Sequence, residues 1–244
     1  MRETLYVGST SFGDYRVIDT MYNGRMSRIL YGSNNTPQSG LAMDDDPELL
    51  FDYNQRFLEI AQSTQPEAVL IIGGGAMTLP TALSRQLPQT TIDVVEIDPL
   101  LPQLAADYFG FGRCERTTVV IDDGVDYIKR CAKQYDMIIV DAFSGDEVAT
   151  ALFSASIASE YQRCLAQDGI VVVNFISKYH TRHRVLTHDL VDNFQSVFDV
   201  VIIYPADHDE PRREEQNLIL VAAANLTSLD YLQSDVVDVL PPSE

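Results

Sequence analysis

Residues 69–80 read VLIIGGGAMTLP. Four apolar residues run into three glycines and then into the start of a helix, with Pro80 in a first turn where proline is tolerated. A glycine turn after a buried strand lets backbone approach a ligand closely. Downstream of this turn, short apolar segments alternate with amphipathic ones. The pattern predicts strands at 68–72, 91–96, 117–121, 136–141, 169–175, 198–204 and 216–224, and helices at 77–87, 99–108, 124–133, 154–165, 182–196 and 227–234. Strand–helix alternation implies parallel strands with crossovers, hence a doubly wound α/β sheet. The last pair differs. VVIIYP (200–205) and NLILVAAA (217–224) are separated only by the polar stretch ADHDEPRREEQ, too short for a crossover helix, so they should pair antiparallel.

A mostly parallel seven-strand sheet with one reversed strand near its end resembles the Rossmann-like fold of class I S-adenosylmethionine-dependent methyltransferases. Upstream, RVIDTMY (16–22) and RMSRILY (25–31) flank Asn23-Gly24, the pair suited to the two positive φ angles of a type I′ hairpin turn. GSNNTPQSG (32–40) reads as a polar loop, and Asp46-Pro47 as a helix start, Asp capping and Pro at the first position. Leu50, Tyr53, Phe57 and Ala61 then recur at helical spacing. The chain therefore divides into a β-rich N-terminal region, 1–45, and a Rossmann-like domain, 46–244. The hairpin also suggests strand pairing between subunits, so a homodimer is expected.

The 244 residues are enough to bury a sizeable core, and 45 % of them are hydrophobic. Against 17 Lys and Arg stand 36 Asp and Glu, a formal net charge of −19. That charge disfavours nucleic acid and anionic membranes as partners and favours small cations such as amines. Cys114, Cys131 and Cys164 have neither CxxC spacing nor an even count and read as reduced thiols. MRETLYVGSTSFGDYR at the N-terminus has no apolar core of signal-peptide length, and no apolar run approaches the ~20 residues of a membrane span. A cytoplasmic location is the expectation. His180 and His183 at i, i+3 lack a carboxylate or cysteine of matching spacing, so no metal is expected.

The glycine turn has acidic companions. VVEIDP (94–99) places Glu96 and Asp98 about twenty residues beyond it, where a carboxylate can accept hydrogen bonds from ribose hydroxyls. VVIDDG (119–124) puts Asp122 and Asp123 at the end of the next strand, where an adenine amino group can be held. Ligands bind at this C-terminal edge in open α/β sheets. The dinucleotide fingerprint GxGxxG is incomplete, with Thr78 at its third position. The residues favour a nucleoside of the adenosylmethionine type over a dinucleotide or a plain chain reversal.

At this point the sequence resembles the spermidine synthase family, the aminopropyltransferases. VLIIGGG, VVEIDP, IDDGVDYI, YDMIIVDAF, ALFSASIASEYQRCLAQDGIVVVNF and the late IIYP stand in that family's order, and the PQSG segment and FDYNQRF match its N-terminal part. The resemblance implies transfer of the aminopropyl group of decarboxylated S-adenosylmethionine to a diamine. It implies that Gly73, Gly74 and Gly75 cradle the nucleoside, that Glu96 holds the ribose, that Asp123 with Gly124 reads the adenine, and that Gln38 reaches in from the N-terminal part. Asp141 matches the first of two active-site aspartates; Tyr53 and Tyr204 would contact the amine.

Two departures stand out. The family's turn GGGDG is here GGGAM, so Ala76 replaces the aspartate that pairs with the donor's ammonium. The family's D-S-S-D-P is here Asp141-Ala142-Phe143-Ser144-Gly145, which puts Ser144 where the general base belongs. An aliphatic ammonium, with a pKa near 10, must lose a proton before it attacks carbon, and a serine does not replace a carboxylate in that task. Asp146 is the candidate substitute base. Three readings remain open: an aminopropyltransferase with a displaced base, a methyltransferase using intact S-adenosylmethionine, and a nucleoside-binding relative without catalysis.

Overall fold

The computed structural model describes residues 2–43, 48–112, 116–144, 147–178, 185–207 and 215–224. At the N-terminus β1 (Glu3–Ser9), β2 (Asp14–Tyr22), β3 (Arg25–Tyr31) and β4 (Pro37–Ala42) form an antiparallel sheet in that order. Asn23 and Gly24 take φ of 48° and 79° and bring Tyr22 opposite Arg25, as a type I′ turn requires. The stretch 32–40 is not simply a loop. A 3-10 turn at Ser33–Asn35 leads into β4, with Pro37 at the first strand position, where its missing N–H is tolerated.

The helix expected from Asp46-Pro47 begins later. Asp46 and Pro47 lie outside the described residues, but Leu49 bridges Leu41 and the Leu50 N–H donates to the Gly40 carbonyl at 3.3 Å. Pairing with β4 keeps residues 48–50 extended, and α1 runs Asp52–Thr64. Tyr53, Phe57 and Ala61 line its buried face as the spacing indicated, ahead of a left-handed Gln65 cap.

From there the chain alternates: β5 (Ala68–Ile72), α2 (Thr78–Gln86), β6 (Thr91–Glu96), α3 (Leu100–Tyr108), β7 (Thr117–Ile121), α4 (Gly124–Arg130), β8 (Tyr135–Val140), the short ladder of β9 (Phe143–Ser144) and β10 (Glu147–Val148), α5 (Ala155–Cys164), β11 (Leu165–Lys178), α6 (Val185–Gln195), β12 (Val200–Pro205) and β13 (Glu215–Ala223). The seven-stranded sheet has the order β12-β13-β11-β8-β5-β6-β7. Only β13 is reversed, antiparallel to both β11 and β12. The expected helix at 227–234 lies outside the described residues.

Both faces of this sheet are covered. Leu70 and Ile72 point into one apolar cluster with Tyr161 and Phe194, while Val69 and Ile71 point into another with Phe57 and Leu83. That is the period of two along a strand buried on both sides. A third cluster, Tyr15, Val17, Leu30, Ala76 and Leu101 among its members, joins the N-terminal sheet to α3 and the glycine turn. Arg28 adds a polar tie, forking onto Asp19 at 2.7 and 2.8 Å and donating to the Tyr108 carbonyl at 2.7 Å.

After β5 the chain moves outward through β6 and β7, then returns to place β8 on the other side of β5. The strand order thus reverses between β5 and β8, and a crevice opens at their C-terminal ends, where ligands bind in open sheets.

Candidate active site

At that crevice the glycine turn leaves β5. Gly73 has φ +97°, and a Cβ there would lie 2.1 Å from the Asp141 carbonyl oxygen. Gly75 has φ +51°, and its Cβ would lie 2.5 Å from Ser39 Oγ. At Gly73 a side chain would collide with backbone; at Gly75 it would meet the Ser39 hydroxyl and be strained by the left-handed φ.

Glu96, at the end of β6, closes the turn. Its Oε2 accepts from the Gly74 N–H at 2.8 Å and the Gly75 N–H at 3.0 Å; Oε1 accepts from the Asp98 N–H at 3.0 Å. The side chain is buried, and burial pushes its carboxyl above the usual range, opposed by these backbone donors. Asp98, grouped with Glu96 in the sequence, faces elsewhere: it accepts from Thr10 Oγ1 at 2.5 Å and from the Leu100 N–H at 2.9 Å.

A cavity of about 730 Å³ extends from the glycine turn along the strand ends and under the N-terminal sheet. It brings together most of the residues singled out in the sequence: Gln38, Tyr53, Gly73, Gly74, Gly75, Glu96, Asp122, Asp123, Gly124 and Asp141 all line it. Asp123 caps α4, its Oδ1 accepting from Val125 N–H at 2.8 Å and Asp126 N–H at 3.1 Å. Asp122 pairs with Arg130 from outside the cavity and accepts the Asp123 N–H at 3.0 Å. Among the described lining residues there are four carboxylates and no Lys, Arg or His.

Asp141 follows β8. Its N–H donates to the Ile72 carbonyl at 2.9 Å, and its Oδ1 accepts from Asn174 Nδ2 at 2.9 Å. Burial pushes the Asp141 carboxyl up to about 6, against the hydrogen bond from Asn174 that favours the charged form. Asn174 was not singled out from the sequence. It sits on β11, wholly buried, lines the cavity, and its Oδ1 has no hydrogen-bond partner. The only signal was one amide inside the apolar run IVVVNF.

Beside Asp141 stands an aromatic wall. The Tyr53 hydroxyl donates to the Gln38 carbonyl at 3.1 Å. The Tyr53 ring stacks on Phe51 with centroids 5.9 Å apart, and Phe51 meets Tyr22 edge-on at 5.8 Å. Burial, then the charge of Asp141, raises the Tyr53 phenol well above its ordinary value.

Tyr204 is buried in the apolar cluster on one face of the sheet and is absent from the cavity lining. For Ser144 only the backbone, in β9, is described, and Asp146 lies outside the described residues. Ala76 is wholly buried in the cluster under the N-terminal sheet, and its N–H donates to Ser39 Oγ at 3.1 Å. Among the described residues no group of three or more His, Cys, Asp or Glu is arranged to hold a metal, and no helix is long and apolar enough to cross a membrane.

Sheet order, a single reversed strand, and a glycine turn facing an acidic strand end define a Rossmann-like α/β protein of the methyltransferase type. More narrowly, the chain belongs to the spermine/spermidine synthase domain family, whose model matches residues 51–206. A polyamine aminopropyltransferase of Vibrio vulnificus is 35 % identical over 136 residues, covering 54 % of this chain and 46 % of that protein. An eEF1A lysine and N-terminal methyltransferase homolog of Drosophila melanogaster is 26 % identical over 242 residues, covering 85 % of this chain and 35 % of that protein. The chain thus spans less than half the length of either relative. Among solved structures, a probable spermidine synthase from Corynebacterium glutamicum superposes with a TM-score of 0.74 at 21 % identity, covering 92 % of this chain and 81 % of that one.

Proposed function

We propose that the chain is a spermidine-synthase-like transferase that moves the aminopropyl group of decarboxylated S-adenosylmethionine onto an amine. The observation that carries this reading is the cavity itself: four carboxylates and no cationic side chain among its described lining. Such a lining favours a sulfonium bearing an ammonium and an amine acceptor. It offers no cationic partner to the carboxylate of intact S-adenosylmethionine, and the Gly74 and Gly75 N–H groups are already taken by Glu96.

In this reading Gly73, Gly74, Gly75 and Glu96 hold the ribose, Asp122, Asp123 and Gly124 the adenine, and Gln38 the N-terminal side of the donor. Asp141 Oδ2 and Asn174 Oδ1 together accept from the acceptor's amine, against the wall of Tyr53. The amine needs a base before it attacks. Asp141, held near 6, takes its proton; the nitrogen lone pair forms the N–C bond while the C–S bond breaks towards sulfur, releasing a neutral thioether. Asp146, two residues beyond Ser144, stands as the second candidate base.

A methyltransferase is the alternative. It is favoured by Ala76, buried in an apolar cluster where the family's turn carries the aspartate for the donor's ammonium, and by the Drosophila relative. Calorimetric titration with S-adenosylmethionine, its decarboxylated form and methylthioadenosine separates the two. The decarboxylated donor should bind at least about tenfold tighter than the intact one, since loss of one charged hydrogen-bonded contact is worth roughly 1.5–3 kcal/mol. Preference for the intact donor would select the methyltransferase, and absence of binding by all three would end the nucleoside reading.

A homodimer accords with the open outer edge of β1, which among the described residues pairs only with β2, because an unpaired edge is a template for another strand. Light scattering at micromolar concentration should give twice the chain mass; a monomer contradicts it.

A further inference from the structure

We propose that the β1–β2 turn, Thr10–Gly13, is a clasp over the nucleoside end of the cavity, that Phe12 is its contact with the ligand, and that Asp98 is the positioning residue that holds it there. The proposal rests on the reading of the cavity as a nucleoside site.

The turn is bonded to itself and to the floor of the site through one hydroxyl. The Thr10 N–H donates to the Gly13 carbonyl at 2.9 Å, and the Phe12 N–H donates to Thr10 Oγ1 at 3.0 Å. The same Oγ1 donates to Asp98 Oδ2 at 2.5 Å, across 88 residues of sequence. Asp98 is fully buried. Its Oδ1 already serves α3 through the Leu100 N–H, so capping a helix accounts for only one of its oxygens. Its N–H donates to Glu96 Oε1, and Glu96 grips the glycine turn. A continuous hydrogen-bonded path therefore runs from Phe12 through Thr10, Asp98 and Glu96 to Gly74 and Gly75. Tyr15 flanks it, buried at the head of β2, its phenol raised by burial and by the nearby Asp98 carboxylate.

Phe12 lines the cavity yet is 43 % exposed, and Ile97, between Glu96 and Asp98, lines it at 41 %. Both are thus left half in water in a cavity whose lining also carries four carboxylates; Ile176, on β11, is the third exposed apolar side chain of the lining, at 37 %. Exposed apolar surface concentrated in a cavity marks a ligand surface. The chemistry that suits it is the face of a purine or the thioether of the donor, which would cover Phe12 and Ile97.

The test is calorimetry with methylthioadenosine on the full chain, comparing wild type, Phe12→Ala, Thr10→Val, Thr10→Ser and the Phe12→Ala/Thr10→Val double variant. Phe12→Ala should weaken binding by about tenfold with an unchanged unfolding temperature, since an exposed ring supports little of the fold. Thr10→Val should weaken it similarly, Thr10→Ser should restore it, and the double variant should be no worse than Phe12→Ala, the non-additivity expected of residues acting through one another. Hydrogen exchange on the ligand-free chain should rise at the Thr10 and Phe12 amides in Thr10→Val. Wild-type affinity in Phe12→Ala, additive losses in the double variant, or unchanged exchange each overturn the clasp. A wild-type chain that binds no nucleoside overturns instead the function proposed above.

Discussion

Asp141→Asn should lower the rate of aminopropyl transfer at neutral pH by about 10²–10⁴-fold, the usual contribution of a positioned base, while leaving methylthioadenosine affinity near that of wild type. The amide keeps the shape and the contact with Asn174 but cannot take a proton. In wild type kcat/KM should rise as pH increases through about 6, where the Asp141 carboxyl ionises, and the variant should lack that limb. Stability should move the other way. Burial raises the folded-state pKa above the unfolded value, so folding is favoured while the group is protonated. That contribution is present below the unfolded pKa, near 4, and is lost as pH rises towards 6. At pH 7.5 the variant should therefore unfold at the same or a higher temperature than wild type. A variant retaining the wild-type rate and pH limb would move the base elsewhere, with Asp146 first in line.

Glu96→Ala is the second large effect expected, and it should act on both fold and ligand. Three backbone N–H groups, those of Gly74, Gly75 and Asp98, lose their acceptor at once. A single unsatisfied buried donor costs about 1–3 kcal/mol, so thermal unfolding should register a loss of at least that order. Affinity for methylthioadenosine should fall by about 1–3 kcal/mol from the lost ribose contact, and further because the turn no longer holds its shape. Glu96→Gln, which keeps one acceptor, should recover part of the stability and less of the affinity. Unchanged affinity in Glu96→Ala would place the ribose elsewhere.

Much of this architecture was legible because the signals were local. Alternation of apolar strands with amphipathic helices predicts the sheet, the short charged connection after Tyr204 predicts the reversal of β13, and Asn23-Gly24 predicts its turn. The misread stretches are those where a tertiary partner decides. GSNNTPQSG is polar, yet β3 recruits its second half as a strand; residues 48–50 follow a capping signal, yet β4 holds them extended. The site divides in the same way. Strand-end acids and glycines announce themselves by position, whereas Asn174 is hidden in an apolar run because its partner Asp141 lies 33 residues away. The sequence sets Asp98 beside Glu96, and only the fold brings it Thr10, 88 residues distant, as its partner. The resemblance placed Tyr204 in the amine channel, but its side chain is enclosed by the apolar residues of the sheet face.

The contact between Gly73 and Asp141 has a geometric consequence. The start of the glycine turn and the carbonyl of Asp141 abut with no side chain between them, and the Asp141 N–H is bonded to the residue just before Gly73. In the function proposed above, the offset between the donor and acceptor sides is therefore fixed by the spacing of adjacent strands, about 4.8 Å, rather than by any rotamer. In that reading, tuning the approach of nucleophile to carbon falls to the acceptor and to Asn174.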